Sequence, residues 1–194
     1  MRHVTFLLFA ACLSSAAFAD ELIDYEAVLA KHAEQVKITS DATGKVTQKS
    51  LNLPDGIVVE CNYDDAEGSC WASDSSEAGA LGCVAAIVVT LSDTLQNCPA
   101  QATTADVALL DRIETSVGAM IAANAVPPRD WVKLRPLFQE LSGSGPYSPE
   151  FCSEVMAPKG DVIRFLDYFR ETVSKDDLEK LLGRPRLPVM NPCF

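Results

Sequence analysis

Six cysteines in a chain that begins with an export signal constrain this sequence more than anything else in it. There are seven cysteines in all, and Cys12 falls inside a segment with the three parts of a secretory leader. Arg2 gives the positive start, Val4 to Leu13 a short apolar run, and Ala17-Phe18-Ala19 a small-x-small cleavage site before Asp20. The apolar run is too short for a membrane span, which needs about 20 residues. Removing 1–19 leaves Cys61, Cys70, Cys83, Cys98, Cys152 and Cys193. An even set in an oxidising compartment predicts up to three disulfides. No two stand at C-x-x-C spacing, so the sequence encodes neither a thioredoxin-like redox pair nor a zinc knuckle. A rival reading starts at Cys12, where Phe9-Ala10-Ala11-Cys12 loosely resembles a lipoprotein box and would make a lipid anchor. Phe9 stands where Leu is usual, so cleavage after Ala19 is the expectation.

Taking 19 leader residues from 194 leaves 175, the size of one domain with a real core. Globular composition agrees, at 48% hydrophobic and 22% charged. The formal net charge is -11, and loss of Arg2 makes the mature chain one unit more negative. An acidic surface repels nucleic acid and anionic lipid, which disfavours both as partners. Solubility alone also explains it.

The fold expectation is a predominantly helical α+β domain: five to seven helices, a small antiparallel β-meander near the N-terminus, and disulfide staples. Leu22 to Ile38 has apolar residues at near-helical spacing. Lys45 to Leu51, Ile57 to Cys61 and Ser69 to Ser73 read as three strands separated by the turns Pro54-Asp55-Gly56 and Asp64 to Gly68. That hairpin sets Cys61 opposite Cys70, the first pairing the spacing suggests. From Glu77 the pattern is helical. Leu81, Val84, Ile87, Val88, Leu91 and Leu95 form one stripe, with Ser75 and Ser76 as cap candidates. A buried strand over Val84 to Leu91 is the alternative. If the segment is one helix, Cys83 and Cys98 lie about 22 Å apart and cannot bond each other. Each then needs a distant partner, and Cys152 and Cys193 remain. Further helices are expected from a cap at Thr104 to Asn124, after Pro127-Pro128 with Pro136 as a kink, at Phe151 to Met156, at Asp161 to Val173 and at Ser174 to Leu182. Ser142 to Pro149 reads as a loop, and Arg184 to Phe194 as an extended tail pinned by Cys193.

Residues that usually perform chemistry are scarce, and no catalytic, cofactor or metal residues are assigned. His32 is the single histidine after the leader, with no Gly-x-Ser-x-Gly elbow beside it, and a partly buried role on its helix explains it. The acidic turn Asp64, Asp65, Glu67 suggests calcium, yet its spacing fails the EF-hand and a solvated turn suffices. Most of the acids fall at helix starts or on polar faces, where dipole and solvation effects account for them. Phe165, Leu166 and Phe169 read as a core stripe with Tyr168 beside it. Trp71, on a strand near a bridge, is a candidate recognition residue, with packing on the disulfide as its other reading. Arg184 and Arg186 form a basic, proline-rich strip that either docks on a partner or lies back on the protein's own acidic surface. The functional expectation is an exported, periplasmic, non-enzymatic binding or accessory protein, recognising another protein or a small ligand. A small hydrolase using a carboxylate pair is the alternative.

Overall fold

The computed structural model describes residues 21–63, 68–76, 79–142, 147–172, 182–191 and 193. Among them are six α-helices and one four-stranded sheet, a helix-rich α+β fold. Helix α1 (Tyr25–Lys31) starts where Asp24 accepts a hydrogen bond from the Ala27 amide at 2.9 Å. It stops at His32, a 3₁₀ turn follows at Ala33–Gln35, and the chain enters β1 (Lys37–Ser40). The single helix expected from Leu22 to Ile38 is therefore corrected. Beyond Leu29 that segment has no fully buried side chain, and β-branched Ile38 and Thr39 pair with a strand instead.

Strands β2 (Val46–Asn52), β3 (Ile57–Asn62) and β4 (Ser69–Asp74) complete an antiparallel meander in the order β1-β2-β3-β4. The expected meander is present, with β1 as an added edge strand. Gly56 makes the β2–β3 turn possible, because its φ of +90° lies where a side chain is strained. Cys61 pairs with Cys70 in the ladder, and the two are bonded.

Helix α2 (Leu81–Asn97) buries Leu81, Val84, Val88, Leu91 and Leu95, and on its other sides Cys83, Ala85 and Val89 as well. It is the central helix, and no strand forms over Val84 to Leu91. Its first residue is Leu81, and Ala80 at the N-cap makes no side-chain cap. The expected caps are used elsewhere: Ser75 Oγ donates to the Gly56 carbonyl, and Ser76 Oγ accepts from Arg186. Helix α3 (Thr104–Asn124) is capped one residue earlier than expected, by Thr103, whose Oγ1 accepts from the Asp106 amide.

Helix α4 (Trp131–Ser142) continues through Pro136. Proline removes the bond to the Val132 carbonyl, and Val132, 82% exposed, leaves that group open to water. Gly118 of α3 lets the Trp131 ring lie against the helix backbone, and Leu134 and Phe138 enter the core behind it. Helices α5 (Pro149–Val155) and α6 (Asp161–Thr172) follow. Leu166 and Phe169 of α6 are buried and Tyr168 is exposed. All of the helix expected over Ser174 to Leu182 except Leu182 itself, and the tip of the loop Ser142 to Pro149, lie outside the described residues.

Two disulfides tie distant parts together: Cys98 with Cys152, joining the end of α2 to α5, and Cys83 with Cys193. The second fastens the C-terminal segment as a strap. Along it, the Asp74 amide donates to the Asn191 carbonyl at 2.7 Å and the Gly82 amide to Val189 at 2.9 Å.

Candidate functional site

Period-two alternation divides the sheet into unlike faces. Leu51, Ile57, Val59, Cys61 and Ala72 point into the core and are buried. The outward face is polar and open. Strand register arranges it in rows: Lys37, Ser50, Glu60 and Trp71 across all four strands, and Thr39, Gln48, Asn62 and Ser69 beside them. A third row holds Asn52, Val58 and Ser73. None of these residues is buried, and Trp71 is 38% exposed, directly opposite Glu60. Among the described residues, no side chain of the three rows is tied up in a hydrogen bond or ion pair. Hydroxyls, amides, one carboxylate and one ammonium thus surround an exposed indole without a side-chain partner among the described residues.

Trp71 lies on the face opposite the Cys61–Cys70 bridge, since adjacent strand residues point to opposite sides, so packing on that disulfide does not occupy its ring. Of the two basic tail residues, Arg184 is exposed and Arg186 is not. Arg186 turns inward to Asp74, with Nη1 at 3.3 Å from Oδ2 and side-chain exposures of 4% and 0%. Its Nη1 also donates to Ser76 Oγ at 3.0 Å. The tail lies back on the protein at this point.

Other polar clusters brace the fold. Arg135 of α4 donates to Glu114 of α3 at 2.6 Å and to Asp93 of α2 at 2.9 Å, and Gln139 adds a second tie to Asp93. Burial lowers the Arg135 pKa, but the Glu114 and Asp93 hydrogen bonds outweigh it and the net shift is upward. Asp93 and Glu114 are two carboxylates tied to one guanidinium, that of Arg135. Glu26 of α1 accepts from the Tyr63 hydroxyl and pairs with Lys49 Nζ at 2.9 Å, and Nζ sits 4.9 Å from the Tyr63 ring centre. The Tyr63 hydrogen bond is the largest cause holding the Glu26 carboxyl below its usual range. Glu26 lies close to both sulfurs of Cys61–Cys70, a grouping that suggests a metal site. Those sulfurs are bonded to each other and offer no thiolate. An open groove of about 610 Å³ lies between Glu21 and the start of α4, with Arg129, Asp130 and Lys133 on its rim. Its charges are mixed in sign.

His32, the C-cap of α1, is half-buried. The acidic turn Asp64, Asp65, Glu67 and the leader with Cys12 lie outside the described residues. The outward face as a unit was missed in the linear reading, although its signal is present: Gln48-x-Ser50-x-Asn52 and Ser69-x-Trp71-x-Ser73 alternate polar or aromatic residues at the strand period. Combining them needed the register. Comparison with known proteins gives no match: no family model, curated protein or solved structure is similar to this chain.

Proposed function

We propose that this chain is an exported, non-enzymatic binding or accessory protein whose recognition surface is the outward face of the sheet, centred on Trp71. The observation that carries the reading is an exposed indole among polar side chains that have no hydrogen-bond or ion-pair partner among the described residues. Exposed tryptophan supplies contact area at low entropic cost and is enriched among residues that dominate binding energy. Three disulfides are compatible with an oxidising compartment, and among the described residues no helix is long and apolar enough to cross a membrane. The leader pattern directs the chain to the periplasm or outside the cell.

Export is tested by fractionating expressing cells and measuring intact mass with an alkylating agent, before and after reduction. A periplasmic or secreted chain beginning at Asp20, alkylated only after reduction, agrees with the reading. A cytosolic chain retaining its leader, or one alkylated without reduction, contradicts it.

A further inference from the structure

We propose that the outward sheet face binds an uncharged saccharide, an inference that rests on the recognition surface proposed above. Three observations select this chemistry. First, the face carries a flat exposed indole, and the C–H faces of pyranose rings stack on the electron-rich side of such a ring. Second, the side chains around it, Ser50, Gln48, Asn62, Ser69 and the Glu60 carboxylate, are donors and acceptors in fixed register with no partner among the described residues, as a polyol requires.

The third observation is charge. Lys37 and Glu60 share one row, so the formal charges of the eleven side chains in the three rows cancel, on a chain of formal net charge -11. An anionic ligand meets the repulsion of the whole protein, and a cation finds a single carboxylate, Glu60, with the Lys37 ammonium two strands away in its row. A protein partner of ordinary kind needs an apolar centre, and only Trp71 and Val58 are apolar here. An uncharged ligand rich in hydroxyls fits what remains. The row from Lys37 to Trp71 crosses three strand gaps, about 14 Å at ~4.8 Å each, which accommodates a short oligosaccharide.

The test uses the mature protein with disulfides intact and labelled with nitrogen-15. Its two indole N–H resonances, from Trp71 and Trp131, are distinguished with the Trp71→Phe variant. Uncharged gluco-, manno-, galacto-, xylo- and chito-oligosaccharides are titrated to about 10 mM, some ten times a millimolar Kd. The expected result is that at least one moves the Trp71 indole and the amides of Ser50, Glu60 and Asn62 while Trp131 stays fixed. Trp71→Ala then weakens that binding about tenfold or more, Asn62→Ala weakens it less, and sulfated or uronic-acid forms bind more weakly than the neutral sugar. Silence across the panel, binding indifferent to Trp71→Ala, or preference for the sulfated form overturns the proposal. Silence here combined with a Trp71-dependent crosslinked partner removes the saccharide and keeps the recognition surface. Silence in both removes both.

Discussion

Asp74 and Arg186, far apart in sequence, meet in the interior with Nη1 3.3 Å from Oδ2 and almost no exposure of either side chain. Asp74 Oδ1 also accepts from the Ser76 amide at 2.8 Å, whereas Arg186 Nε and Nη2 find no hydrogen-bond partner among the described residues. A buried pair left incompletely satisfied stabilises little compared with apolar packing, yet losing one partner strands a charge. Arg186→Met should therefore cost about 3–5 kcal/mol, and adding Asp74→Asn should recover part of it. Urea unfolding of the two single variants and the double variant, with disulfides intact, checks this. Strict additivity would contradict a coupled pair.

Gly82 is where the strap touches α2. A Cβ there would meet Met190 Sδ at 2.7 Å, the Pro188 carbonyl at 2.7 Å and the Val189 carbonyl at 2.8 Å. Two of the three are backbone and cannot rotate away. Gly82→Ala should lift the strap, at a cost of about 1–3 kcal/mol from overpacking, and speed hydrogen exchange at the Gly82 and Asp74 amides. Gly118→Ala is the comparison, since its Cβ meets the Trp131 ring at 2.6 Å. It should destabilise the helical side and leave those two amides protected.

Asp106 contributes to the acid limb of stability. Burial raises its pKa, but the hydrogen bonds from Thr103 and Arg170 and the Arg170 charge outweigh burial, and its carboxyl sits below the usual value. An unfolded aspartate titrates near ~3.9. Its contribution is therefore present above about pH 4 and fades as pH falls toward the lowered native value. Because Arg170 is partly exposed and screened, Asp106→Asn should cost only about 1–2 kcal/mol at neutral pH. It should also flatten the stability profile below pH ~4. An unchanged acid slope in the variant rejects this assignment.

Reduction should be ordered by access. Cys193 is exposed, while Cys61, Cys83, Cys98 and Cys152 are buried. Limited reduction followed by alkylation and peptide mapping should label Cys83 and Cys193 first. That bridge spans 110 residues and Cys61–Cys70 spans 9, so its loss should cost more stability, of the order of 2–5 kcal/mol. Labelling that begins at Cys98 and Cys152 contradicts the order.

Local chemistry was legible in the chain. The 3.6-residue stripe of Leu81 to Leu95, the β-branched run Ile57 to Val59 and the Cys61–Cys70 spacing all led to the elements observed. Eliminating a Cys83–Cys98 bond from helix length left two partners, and the structure joins Cys83 to Cys193 and Cys98 to Cys152. Long-range pairing decided the rest. Ile38 leaves the helical pattern because Lys49 offers a ladder partner. Ser76 is drawn from a capping role to Arg186, whose inward turn depends on Asp74, 112 positions away (186 less 74). The outward face became visible only when four strands were placed in register, since each contributes two or three side chains to it.

Photo-crosslinking from both sides of the molecule in producing cells decides whether the outward sheet face is the recognition surface. A photoreactive amino acid replaces Ser69 or Ser73 on the outward face, or Val132, which is 82% exposed on α4. Substitution at the exposed positions 69 and 132 should change stability by no more than about 0.5 kcal/mol. The account predicts one dominant crosslinked species, saccharide or protein, from positions 69 and 73, lost with Trp71→Ala and absent from position 132. Equal crosslinking from all three positions, or none from the sheet face, would contradict it.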